Sequence, residues 1–207
     1  MFVCGNCEKK GCTKGDLDHL LEVCPTRDEE IKDKAKKLYS DEENHKIAFN
    51  AAVIEAEGYC KNTRLEETID FMKKCGYQKI GLAFCMGLKS EAKTLIRILT
   101  AHGFEVSSVI CKNGAISKRF LGLSDAETVS GSNEEIMCNP IGQALTLNKE
   151  KVQFTILFGL CVGHDTLVLK YLEAPATVLV VKDRVLCHNP IAAIYQADAY
   201  YKKKLGL

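Results

Sequence analysis

Four short apolar runs, separated by stretches of helical character, constrain this chain more than any other feature. They are Lys79–Phe84, Phe104–Ile110, Val152–Phe158 and Thr177–Val181. Between the first two, Leu88, Ala92, Leu95, Ile96 and Leu99 fall on one helical face, and Gly103 closes that helix. Cys138-Asn139-Pro140 opens a short helix ahead of the third run. A helix to about Leu172 precedes the fourth, with Pro175 as its breaker. Strands that alternate with helices imply a parallel sheet covered on both faces. Continuous apolar runs such as Thr177–Val181 fit strands buried on both sides. The expected fold is α/β: a three-layer, Rossmann-like domain with a mostly parallel sheet over residues 64–207. Ahead of it the sequence predicts a Cys-rich segment over 1–27 and a helical connector over 28–63. Helices are expected over 28–39, 43–58 and about 65–75, the last ended by Gly76. Residues 112–136 are polar and predict no regular element. A final helix after Pro190 is expected to turn Ile191, Ile194 and Tyr195 inward.

With 207 residues and 46% hydrophobic residues, the chain can bury one α/β core and a small appendage. A net charge of +1 argues against a general nucleic-acid or anionic-membrane binder, which needs a basic excess. No run approaches the ~18 apolar residues of a membrane span. The opening Met1-Phe2-Val3-Cys4-Gly5 has no basic leader followed by an apolar core, so no secretory signal is expected. The expected compartment is the cytoplasm, where disulfides are rare and clustered cysteines more often bind metal or do redox work. Eleven cysteines, an odd number, fit that better than a complete disulfide framework.

Four of them come early: Cys4-x2-Cys7-x4-Cys12, then Cys24-Pro25. The first spacing lets two sulfurs reach one ion from a tight turn, with Gly5 and Gly11 easing the backbone. Four thiolates satisfy Zn2+ tetrahedrally, and the same set can hold an iron–sulfur cluster. The gap from Cys12 to Cys24 does not match a standard ferredoxin run, which favours zinc. His19 is a spare nitrogen ligand. A short polar segment buries too little surface to order itself, so a metal would supply the missing stability. The plain alternative is four free thiols in a leader.

Five more cysteines sit where strands end or helices begin: Cys85, Cys111, Cys138, Cys161 and Cys187. Ligands of open α/β sheets bind beyond the carboxyl ends of the strands. These thiols are therefore candidate cofactor ligands in one crevice, although cysteine is also a common packing residue. Cys60 and Cys75 lie elsewhere and read as packing. Cys138-Asn139-Pro140-Ile141 resembles Cys187-His188-Asn189-Pro190-Ile191, each with a thiol ahead of a helix start, where the dipole makes it a better nucleophile or ligand. In Gly159-Leu160-Cys161-Val162-Gly163-His164-Asp165, the glycines allow a tight turn. His164 is a candidate acid, base or ligand there, with Asp165 as its orienter or a helix cap. Cys161, His164, Cys187 and His188 are the candidate catalytic residues. Lys182-Asp183-Arg184 supplies a basic pair for an anionic group, or only a solvated turn. Neither GxGxxG nor GxxxxGK[ST] is present, so no nucleotide site is expected.

These stretches resemble a prokaryotic family, domain of unknown function 1847, described as metal-binding. The residues that carry the resemblance are Cys4, Cys7, Cys12 and Cys24-Pro25, then Gly81-Leu82-Ala83-Phe84-Cys85 and Cys138-Asn139-Pro140. Gly159 through Asp165, Lys182-Asp183-Arg184 and His188-Asn189-Pro190 complete it. The resemblance implies a zinc-finger-like N-terminus and metal binding, and implies no reaction. Three functions stay open. In the first, the edge thiolates hold an iron–sulfur cluster or another soft metal, and a redox partner or small-molecule ligand completes the function. The second is a metal-free thiol enzyme, with Cys161 or Cys187 as nucleophile and His164 or His188 as base. The third is a zinc-ordered binding module without catalysis.

Overall fold

The computed structural model describes residues 3–207. Met1 and Phe2, part of the stretch read for a secretion leader, lie outside the described residues. The chain divides into two units, one through Glu57 and one over Gly58–Leu207. No helix among the described residues is long and apolar enough to cross a membrane.

The first unit holds α1 (Gly11–Lys14), α2 (Glu29–Tyr39) and most of α3 (Glu42–Gly58). Asp28 caps α2 by accepting the Ile31 N–H at 3.0 Å, and Glu29 and Glu30 complement the dipole in the first turn. Both longer helices lie within a residue of the predicted spans. Among the described residues of this unit, Ile54 is the one buried hydrophobic side chain.

The second unit holds α4 (Arg64–Lys74), β1 (Lys79–Phe84), α5 (Lys89–Ala101), β2 (Glu105–Ile110), α6 (Pro140–Lys149), β3 (Phe154–Leu160), α7 (His164–Tyr171), β4 (Ala176–Val181) and α8 (Ile191–Tyr195). A capping box between Thr63 and Glu66 starts α4, and Gly76 at φ +73° follows its end. The four strands are all parallel in the order β2-β1-β3-β4. Side chains alternate across the sheet. Ile80, Leu82, Phe154 and Ile156 pack with Ile69 and Met72 of α4 and Leu95 and Leu99 of α5. Ala83, Leu157 and Leu160 face the other way, onto Ala144 and Leu147 of α6 and Val168 of α7. The unit is thus the expected three-layer, Rossmann-like α/β fold. From β1 the chain moves outward to β2, then returns past β1 to β3 and β4. That reversal puts a crevice at the carboxyl ends of β1 and β3.

Three expectations need correction. Gly159 and Leu160, read as loop, belong to β3. Gly159 sits at φ +66°, and the pairing with β4 shifts register around it, so the glycine makes a bulge rather than an end. β4 is not buried on both sides. It is one of the sheet's two edge strands, and each of its six residues is half-buried. The last helix does not point inward: Ile191, Ile194 and Tyr195 are 46%, 68% and 75% exposed. Its five residues are too few to build an apolar face that packs. The unassigned 112–136 stretch forms three short 3-10 turns and one antiparallel bridge, Ser117 to Ile136.

Candidate functional site

The parallel ladder runs past the strand ends and fixes where the thiols stand. The Cys85 N–H donates to the Phe158 carbonyl at 3.1 Å, and the Cys111 N–H to the Phe84 carbonyl at 2.9 Å. Cys85, Cys111 and Cys161 therefore follow β1, β2 and β3 directly. Cys138 arrives from another direction, at the start of α6. The Asn139 N–H donates to the Cys111 carbonyl at 2.7 Å, and the Asn139 side chain caps α6 by accepting the Gly142 N–H at 2.8 Å. Gln143, fully buried on α6, ties the same corner. Its Nε2 donates to the carbonyls of Phe84 and Val109 at 3.1 and 2.7 Å.

These anchors bring three thiols into one hydrogen-bonded row. Cys85 donates to Cys111, and Cys111 donates to Cys138. The row orders their acidities. Its bond to Cys111, then burial, push the Cys85 thiol up to about 12. The Cys111 thiol is raised too, chiefly by donating to Cys138. Cys138 is the acceptor at the end of the row, and it is lowered to about 7 by Cys111, with the Lys112 charge adding to the effect. Cys138 therefore carries much of its charge at neutral pH, while Cys85 and Cys111 keep their protons. The loop after β1 supports the row from behind. The Met86 N–H donates to Cys111 Sγ at 3.2 Å, and the Gly87 N–H donates to Cys85.

Cys161 stands apart from the row but within its field, and its charge acts on Cys138. The Arg184 guanidinium donates to Cys161 Sγ at 3.2 Å. His164 opens α7, and burial, first among its causes, holds its pKa below the usual imidazole range and so favours the neutral ring. Asp165 is within range of that ring and also accepts the Thr166 N–H at 2.8 Å.

Cys187 and His188 are not part of the hydrogen-bonded row. Both take left-handed backbone angles, φ +51° and +65°. Cys187 is exposed, and His188 Nδ1 accepts the Asp183 N–H at 3.1 Å. That turn uses the His188 ring to close the chain after β4. The likeness to Cys138-Asn139-Pro140 does not extend to structure, because Asn139 caps α6 with its side chain and no side chain caps α8. Cys60 is exposed and Cys75 is buried at the end of α4. Sequence reasoning missed Lys112 and Gln143. Lys112 was findable as the residue after a strand-end cysteine; a glutamine inside a helix gives no such signal.

In the first unit, Cys4 opens a 3-10 turn, and the Cys7 N–H bonds the Cys4 carbonyl at 3.1 Å. Cys12 lies in α1, and Cys24 precedes the 3-10 turn Pro25–Arg27. Hydrogen bonds from Thr26 lower the Cys24 thiol. His19 is turned to the Asp16 carboxylate, 2.9 Å away. None of the eleven cysteines, all of them among the described residues, forms a disulfide. Among the described residues no three His, Cys, Asp or Glu side chains already surround one point as metal ligands do.

The chain is 47% identical over 202 residues to an uncharacterised protein of Methanocaldococcus jannaschii, covering 98% of this chain and 97% of that one. No solved structure matches. A family described as a protein of unknown function, DUF1847, matches residues 24–179. That span takes in Cys24, the thiol row, Cys161 and His164, and leaves out Cys4, Cys7, Cys12, Lys182 and Arg184. The chain belongs to this family, DUF1847.

Proposed function

We propose that the protein is a thiol-dependent redox protein, with Cys138 as the attacking thiolate and Cys111 as the thiol that resolves it. One observation carries this reading: the acceptor thiol of the row is the more acidic and more exposed one, and it is hydrogen-bonded to a buried, protonated neighbour. A thiol that ionises near neutrality needs no separate base, which removes the requirement for a histidine partner. Cys138 attacks one sulfur of a small disulfide, and the other sulfur leaves with the bonding pair. Cys111 gives up its proton and attacks the Cys138 sulfur, releasing the second thiolate. The balance is two protein thiols oxidised to one disulfide and one small disulfide reduced to two thiols. A reducing partner returns the protein to its starting state.

A soft-metal or iron–sulfur centre at Cys85, Cys111, Cys138 and Cys161 is the second reading. It is favoured by the delivery of four thiols from four separate segments to one sheet edge. The donor chemistry fits. As they stand, however, the thiols bond to one another, so a metal needs Cys85 and Cys111 to lose their protons and turn. Zinc at Cys4, Cys7, Cys12 and Cys24 belongs with the same family resemblance.

One preparation tests both. Protein purified without oxygen is assayed for metal and sulfide, incubated with a small disulfide, and mapped by mass spectrometry. The redox reading expects a Cys111–Cys138 bond that Cys138→Ser abolishes. Iron and sulfide retained until the edge cysteines are changed to serine, with no such bond, would overturn it in favour of the second reading. Zinc lost on changing Cys4 or Cys7 assigns that metal to the N-terminal unit.

A further inference from the structure

The thiol row is flanked by three positively charged side chains that no carboxylate pairs with among the described residues. Lys112, Lys182 and Arg184 follow the ends of β2 and β4, and none makes an ion pair among the described residues. Their charges converge. Lys112 acts on Cys138 and on His164, Lys182 acts on Cys85, and Arg184 acts on Cys161, Cys85 and Cys138. Two glycines locate the Lys182 ammonium beside the row. A Cβ on Gly87 would lie 3.6 Å from Lys182 Nζ and 3.9 Å from Cys85 Sγ, so ammonium and thiol flank the same backbone position. A Cβ on Gly159 would lie 3.7 Å from the same nitrogen. Arg184 spends one N–H on Cys161 and, on the exposed side of the crevice, has further donors for a ligand. The nearby carboxylates are occupied locally: Asp183 accepts the Val185 and Leu186 N–H groups, and Asp165 that of Thr166. Both carboxylates keep their charge, but among the described residues neither pairs with Lys112, Lys182 or Arg184.

We infer that the crevice selects a small anionic substrate, whose carboxylate or phosphate is held among Lys112, Lys182 and Arg184 beside Cys138. The identity of the substrate class rests on the redox reading above, while the charge selection does not. A thiolate alone would repel such a ligand. Three cations around the crevice, unpaired with any carboxylate, counter that repulsion and raise the local concentration of anions. Arg184 and Lys182 come from the end of edge strand β4, so they close one wall of the crevice while Lys112 closes the other.

The test is a comparison of two alkylating reagents on the full chain. Iodoacetamide is neutral and iodoacetate is anionic; both form the same S–C bond and expel iodide. The rate ratio, iodoacetate over iodoacetamide at Cys138, is measured against that of free cysteine. Changes in thiol acidity cancel in the ratio, because both reagents need the thiolate. The expected ratio exceeds that of free cysteine by on the order of tenfold at low salt. It should fall with ionic strength and fall again in Lys182→Gln and Arg184→Gln. Fast iodoacetamide labelling with a ratio no higher than free cysteine overturns the anionic-substrate inference and leaves the redox reading standing. Slow labelling by iodoacetamide overturns the redox reading, and the ratio still decides the charge selection. The ratio and its salt dependence are read on the unaltered protein, so a variant that fails to fold does not weaken the test.

Discussion

Cys138 differs from its ten fellow cysteines by what donates to it rather than by where it lies in the sequence. Its thiol accepts from Cys111, with Lys112 close by, and its midpoint falls to about 7. An ordinary cysteine ionises near ~8.5. The sign of the consequence is fixed. A lowered folded-state value stabilises the fold above the ordinary thiol range, and that contribution is lost as pH falls through about 7. The rate of Cys138 labelling by iodoacetamide should therefore be half-maximal near that same pH and level off above it. Cys111→Ala removes the donor, so the midpoint should climb toward the ordinary range. A midpoint that stays put would show that charge, and not the thiol row, sets the acidity. Much of this was legible beforehand. The strand ends at Phe84 and Ile110 could be read from apolar runs, and so could the cysteines that follow them, whereas the third run placed its end at Phe158, two residues short of Leu160. The partnership of Cys138 with Cys111 could not, because it depends on a crossover helix docked by Gln143 on two strand-end carbonyls. Nor could the left-handed turn at Cys187 and His188, which is closed through the His188 ring.

Strand β3 shows how one residue shapes an element. Gly159 holds φ +66° within the strand, and a Cβ there would overlap Leu88 Cδ1. Gly76 has a similar angle, φ +73°, but nothing within 4 Å of its Cβ position. The two positions separate backbone strain from packing. Alanine at Gly76 should cost about 1 kcal/mol, the strain alone. At Gly159 the cost should reach about 2–3 kcal/mol, since Leu88 must also move. Leu88 is buried in the α5 face of the core, so its displacement would disturb the loop that supports the Cys85 and Cys111 thiols. Urea unfolding of both variants measures the difference. Equal losses would mean that Leu88 yields freely and the bulge is set by its dihedral angle alone. The sequence reading of Gly159 as a loop residue recognised the special backbone but not its position inside the ladder. An apolar run with a glycine near its end reads the same way whether the strand stops there or bulges and continues.

At the scale of the whole chain, the two units are held together internally by different means. Among the described residues the second unit holds nearly all of the buried apolar side chains, centred on β1 and β3. Among the described residues, the first unit buries Ile54 as its one hydrophobic side chain, and it relies on helical hydrogen bonds and caps. Isolated helices of the length of α2 are marginal in water. A segment that lacks a core but carries Cys4, Cys7, Cys12 and Cys24 is the kind of segment that a bound metal can order. Amide hydrogen exchange makes the contrast measurable. Amides of β1 and β3 should exchange only through near-global opening, while those of α1 and α2 should exchange orders of magnitude faster in metal-free protein. Added zinc should slow exchange across Cys4–Arg27 and leave β1 and β3 unchanged, because binding stabilises only the unit that holds the ion. Cys4→Ser with Cys7→Ser should remove that protection. If zinc slows neither unit, the four early cysteines are free thiols on an element ordered by its helices. If it protects the sheet instead, the soft-metal reading of the crevice gains the support that the redox reading would lose.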